Sequence, residues 1–194
     1  YERPAPEGPR RRDALEFALA DEDPRVQAAA AEALGDAGAG RELLEHSLRA
    51  ADPRVRVAAA RALGRRALVD VRAVLGPLLE DPDAGVVLAA LEGLGAGAGV
   101  DDLRALAGHR EPDVVADALA RLRDRDPPAA IEVARTLLEH AAWSVRLEVV
   151  RTLDPRDEGD RARLRARTHA ERDELVREAL EEALGRTSSV SHST

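Results

Sequence analysis

Along this chain apolar residues recur at i, i+3, i+4, i+7 and i+8, as in Val55, Ala58, Ala59, Ala62 and Leu63, which places them on one face of an α-helix. The stretch that carries them repeats. D-P-R-V-Q-A-A-A-A-E-A-L-G from Asp23 returns from Asp52 as D-P-R-V-R-V-A-A-A-R-A-L-G, and looser copies follow downstream. Anchored on its first Val, the pattern recurs at Val26, Val55, Val86, Val114, Val145 and Val176, each with a Leu eight residues later, from Leu34 to Leu184. This stretch predicts one helix of a pair, here called B. A Leu-rich stretch before it predicts the other, A, as in Leu43, Leu44 and Leu48, or Val74, Leu75, Leu78 and Leu79. Between the two, Asp-Pro supplies an N-cap carboxylate and then a Pro at the first helical position, where its missing N–H costs nothing. After helix B, Gly35, Gly64, Gly95 and Gly185 stand where a left-handed residue ends a helix.

Each copy therefore reads as an αα-hairpin, and one hairpin cannot bury its own apolar face, so neighbours must stack. The predicted fold is all-α, an α-solenoid (right-handed superhelix) of about six hairpins. The array is expected over residues 13–186, with hairpins near 13–36, 40–65, 67–96, 100–124, 128–154 and 158–186. Residues 1–12 and 187–194 are expected to be flexible. Phe17 is expected to plug the first layer. The last helix A reads R-A-R-L-R-A-R over Arg161–Arg167, with Leu164 its only large apolar residue, and is expected to pack loosely.

Composition sharpens the picture. Hydrophobic residues make up 44% of the 194 and are almost all Ala, Leu and Val, so backbones must approach closely around small side chains; helix pairs fit that requirement and β-sandwiches do not. The aromatics are Tyr1, Phe17 and Trp143 alone. Net charge is −8, which disfavours nucleic acid as a partner, because affinity for phosphates comes from Lys and Arg. Lys, Asn, Met and Cys are absent and the basic residues other than His are Arg, a bias attributed to a GC-rich coding sequence. Without Cys there is no disulfide framework, thiolate metal site or cysteine nucleophile. No run approaches the roughly 18 apolar residues of a membrane span, so no membrane partner is expected and the cytoplasm is the default location.

The signature D-P-x-V-R-x-A-A-x-x-L-G resembles HEAT repeats, particularly the short bacterial kind first noted in phycobilisome lyases, over roughly residues 13–186. The second copy matches fully, including Arg56, and Arg146 and Arg177 fill the same place, whereas Gln27, Val87 and Val115 do not. The resemblance implies that this Arg joins a ladder with the turn Asp, broken here in the middle of the array. It also implies a range of roles: scaffolds, chaperones, lyase subunits and a few nucleic-acid enzymes. It fixes architecture far better than activity.

Candidate chemistry is sparse. G-A-G-A-G over Gly95–Gly99 lacks the preceding strand and the following Lys-Ser/Thr of a phosphate loop and reads as an inter-repeat turn. His109 and His140 each stand five residues before an anchor Val, on adjacent A-to-B turns. A metal there would need a third ligand, for which Glu111 and Glu139 are available, and surface histidines are the simpler expectation. Trp143 replaces the Pro that opens helix B and serves either as packing or as an interface anchor. Asp117 and Glu148 sit where other copies have Ala. General acid–base work would require a pocket that raises one pKa; in the alternative register of Val115, Ala118, Leu119 and Leu122, Asp117 and Arg121 form a solvated i,i+4 ion pair. The run Arg161–Arg167 has Asp157, Asp160 and Glu171 within helical reach, so local ion pairs are its expected use.

The leading functional expectation is a non-catalytic scaffold, monomeric, binding another protein or peptide through the concave face of the helical array, which the B helices line. Its contact residues are Arg54, Arg61, Asp117, Arg121, His140, Trp143, Glu148 and Arg151, with Glu32 on the same face. No catalytic residue, cofactor or metal is assigned. A lyase-like or chaperone subunit is the alternative, resting on resemblance and lacking an aromatic-lined cleft; a nucleic-acid-binding protein is the second, lacking stacking platforms.

Overall fold

The computed structural model describes residues 7–38, 40–66 and 68–185. Among them are twelve α-helices and two short 3-10 helices, with no strand. They fall into two compact units, Tyr1–Ala98 and Gly99–Thr194.

In the first unit, α1 (Glu7–Leu19) pairs with α2 (Pro24–Asp36), α3 (Arg41–Ser47) with α4 (Pro53–Gly64), and α5 (Val71–Leu75) with α6 (Ala84–Leu94). The B helices form a row in which α2 packs on α4 and α4 on α6. Between α5 and α6 the chain runs through a 3-10 helix, Gly76–Glu80, because Pro77 has no N–H to continue the α-helical ladder. A second 3-10 turn, Gly95–Gly97, follows α6. The second unit repeats the scheme: α7 (Val100–Leu106) with α8 (Pro112–Arg125), α9 (Pro127–Leu137) with α10 (Trp143–Thr152), and α11 (Glu158–Ala170) with α12 (Glu174–Gly185). Its B row is α8 on α10 on α12. Both units are stacks of helical hairpins, the α-solenoid arrangement.

The predicted face is the buried one. Val55, Ala58, Ala59, Ala62 and Leu63 of α4 are all at most 2% exposed. The Asp-Pro device also forms as expected: Asp23 and Asp52 accept the N–H of Arg25 and Arg54 at 2.8 Å each, ahead of Pro24 and Pro53 at the first helical position. Gly99 to Val100 likewise opens α7, with the Gly99 N–H donated to Asp102 at 2.9 Å.

Three expectations need correction. Gly35, Gly64 and Gly185 do not end their helices in a left-handed conformation; they lie inside them, and the glycines with positive φ are Gly38, Gly40 and Gly95. Gly35 and Gly64 serve close approach instead. A Cβ on Gly35 would stand 2.7 Å from Ala62 Cβ, and one on Gly64 would lie far closer to Gly93 Cα than van der Waals contact allows, so the ends of α2, α4 and α6 touch almost backbone to backbone. Phe17 plugs nothing: it is 80% exposed. The helix α1 begins at Glu7, inside the stretch read as flexible, while residues 1–6 and 187–194 lie outside the described ones.

At the other end, α11 is carried by few apolar contacts, with Leu164 fully buried. Ion pairs supplement it: Arg167 donates to Glu171 at 3.0 Å, and Arg135 of α9 to the buried Asp160 at 2.7 Å.

The glycine contact sets a test. Gly64→Ala should destabilise the first unit by about 1–3 kcal/mol, the usual cost of overpacking a filled contact. Gly185→Ala, where an added Cβ meets nothing within 4 Å, should leave the urea midpoint unchanged or slightly raised.

Candidate partner-binding surface

Five of the six A-to-B turns share one hydrogen bond. The side chain five residues before the anchor Val accepts the N–H two residues after itself: Asp21 from Asp23 (2.8 Å), Asp81 from Asp83 (2.9 Å), Glu171 from Asp173 (2.9 Å). His109 and His140 occupy this position and do the same work, their Nδ1 atoms accepting from Glu111 at 3.0 Å and Ala142 at 3.2 Å. An imidazole that accepts through Nδ1 carries its hydrogen on Nε2 when neutral. The two histidines are turn acceptors, and among the described residues no group of three His, Cys, Asp or Glu could hold a metal.

On this turn the ladder is built. Arg56, one residue after its anchor Val, donates Nε and Nη2 to the two oxygens of Asp81 in the following hairpin, at 2.9 and 2.8 Å, while Nη1 holds the Ala50 and Ala51 carbonyls of its own turn. Arg146 repeats this with Glu171 at 2.9 and 2.7 Å and with the carbonyls of His140 and Ala141. The Arg146 hydrogen bonds outweigh burial and hold the Glu171 carboxyl well below its ordinary value near 4.5, helped by the Asp173 amide and Arg167. Burial pushes Asp81 upward, yet its bonds to Arg56 and the Asp83 amide more than offset this, and its pKa is lowered.

The predicted contact residues divide between the units. On α4, Arg54 folds back onto Asp52 at 2.7 Å and lowers the Asp52 pKa to about 2, and Arg61 lies 3.6 Å from Glu92. In the second unit, Asp117 and Arg121 form an i,i+4 pair at 2.7 Å; the buried face of α8 is Val114, Val115, Ala118, Leu119 and Leu122, so the pair is turned away from the core. Glu148 on α10 accepts from Arg151 at 2.6 Å and from Arg123 on α8 at 2.9 Å, tying two B helices together. Both carboxylates are thus engaged by guanidinium groups. Trp143 stands on the first turn of α10, 46% exposed. Arg123 escaped the sequence reading, although its separation of 25 from Glu148 is the one that joins Arg56 to Asp81 and Arg146 to Glu171. In the run Arg161–Arg167, Arg163 is 3.6 Å from Asp160 and Arg167 is bound to Glu171.

Stacked hairpins with this turn and ladder define an α-helical repeat protein. A family profile described as HEAT repeats matches residues 40–121, and the hairpins over that stretch are HEAT repeats. The narrower likeness to the phycobilisome-lyase kind finds no confirmation in the match. No curated protein matches the chain. Among solved structures it is similar to an engineered protein crystallised by the Northeast Structural Genomics Consortium, at 26% identity and a TM-score of 0.61, over 92% of this chain and 96% of that one.

A carboxylate whose folded pKa is depressed contributes stability that is present above its unfolded pKa and lost as pH falls toward the folded one. For Glu171 that window opens below about pH 4.5. Glu171→Gln should cost about 3 kcal/mol near neutral pH, because it leaves Arg146 buried with a weaker partner. The variant should also lose part of the acid limb of a stability-against-pH profile measured by urea denaturation.

Proposed function

We propose that this chain is a non-catalytic scaffold that binds another protein or peptide, acting as a monomer in the cytoplasm through the outward faces of its B helices. Helical repeats present extended surfaces of this kind. The observation that carries the reading is Trp143, half-exposed at the start of α10 in a chain with one Trp, one Tyr and one Phe. Trp and Arg dominate interface anchors, and the same unit carries Arg121 and Arg151 on α8 and α10. The second-unit surface is therefore Asp117, Arg121, His140, Trp143, Glu148 and Arg151, with Arg54 and Arg61 offering a separate contact on α4. The net charge of −8 and the local pairing of Arg163 and Arg167 weigh against nucleic acid. That no described helix is long and apolar enough to cross a membrane agrees with a partner met in water.

The test is affinity capture from a lysate of the source, with the wild type, Trp143→Ala and Arg151→Glu as baits matched by circular dichroism and melting. A protein recovered by the wild type should fall at least about tenfold with each variant, as for a hot-spot residue. Equal recovery by all three baits would remove this surface from the account, and recovery of nucleic acid in place of protein would overturn the scaffold.

A further inference from the structure

Two steps of the ladder in these units are closed by Arg and acid, and the step from α8 to α10 carries Val115 and His140 at the equivalent places. The first step has neither. Gln27 stands at the Arg position and Ala50 at the acid position. Gln27 performs half of the Arg role: its Nε2 holds the Asp21 carbonyl of its own turn at 2.6 Å, as Arg56 holds Ala50 and Arg146 holds His140, and it extends no second arm to the next hairpin. Ala50 has no side-chain acceptor, so the turn hydrogen bond made by Asp21, Asp81, His109, His140 and Glu171 is missing there. Among the described residues nothing accepts the N–H of Asp52.

The place is open. A groove of about 370 Å³ lies between these two hairpins, lined by Leu19, Pro24 and Gln27 from the first and by Arg49, Ala50 and Asp52 from the second. Arg49 is exposed and makes no ion pair among the described residues.

We propose that this groove binds a carboxylate side chain, a glutamate or aspartate on an extended segment of a partner protein. A carboxylate placed as Asp81 is placed one step further on would accept the Asp52 N–H and the Gln27 amide, in a groove whose lining includes the cationic residue Arg49. The methylenes of the incoming side chain would rest on Leu19, Pro24 and Ala50. The negative charge of Asp52 does not bar this, since Asp81 and Asp83, like Asp21 and Asp23, stand two residues apart in the same geometry, each pair with one carboxylate on the turn and one capping the helix. A neutral amide is disfavoured, because an ionised acceptor makes the stronger bond to each of these donors. The inference deepens the scaffold reading by giving one partner contact its chemistry. It stands on first-unit residues that the Trp143 test leaves untouched, so either can fail without the other.

The experiment is an amide-shift titration of the ¹⁵N-labelled chain with the peptide acetyl-Gly-Asp-Gly-amide, with acetyl-Gly-Asn-Gly-amide as control. The Asp52 amide should shift saturably with the Asp peptide and not with the Asn peptide. Ala50→Asp supplies the missing acceptor from within: it should move the Asp52 amide without ligand and abolish the response to the peptide, while keeping the wild-type melting temperature or raising it. Gln27→Arg restores the charged donor and should tighten the Asp peptide at least about fivefold, as a charge-assisted bond replaces a neutral one. Equal shifts with both peptides, or an undiminished response in Ala50→Asp, would overturn the proposal, as would Gln27→Arg binding no tighter than the wild type.

Discussion

In five of the six turns the N–H of the residue that caps the B helix is accepted by the side chain two residues earlier. That bond fixes where the helix starts and where the accepting side chain points. Once an acid is held there, its remaining lone pairs face the preceding hairpin, and an Arg one residue past the anchor Val can reach them while still gripping its own turn. One guanidinium thus satisfies two turn carbonyls and a carboxylate that belongs to the next repeat. The pairing is conditional on both members: Arg stands opposite an acid at Arg56–Asp81 and Arg146–Glu171, whereas the histidine turn of α10 is preceded by Val115. A cation facing an imidazole would gain nothing and would oppose its protonated form.

Beneath this polar edge the B rows are held by small residues. Ala and Gly allow α2, α4 and α6 to close to near-backbone contact at Gly35, Gly64 and Gly93, so the core is made of Leu and Val interleaved with almost no aromatic volume. The chain leaves its chemistry to the turns and to the outward helix faces, where carboxylates such as Asp117 and Glu148 are matched by guanidinium groups.

Much of this was legible in the sequence because the repeat displays it several times. The helical period, the Asp-Pro caps and the hairpin order follow from local rules, and the buried face of α4 is the one read from Val55 to Leu63. The glycines were misread because a glycine at the end of an apolar run is consistent both with a left-handed cap and with a close helix contact, and only the neighbouring helix distinguishes them. The histidines were read as surface residues in a shared register, with a metal pair as the lesser alternative; what the register serves is the turn hydrogen bond already made by Asp and Glu elsewhere. Arg123 was hidden for another reason: its partner Glu148 lies in the next hairpin, and no rule confined to a single helix brings the two together.

Arg and turn acid act as one unit across a step. A double-mutant cycle on Arg56 and Asp81 tests it most directly, using Arg56→Val and Asp81→His so that the double variant carries the pair found between α8 and α10. Each single variant should be markedly destabilised and the double variant should recover most of the loss, giving a coupling of about 1.5–3 kcal/mol. Strictly additive losses in the urea-denaturation free energies would contradict the claim.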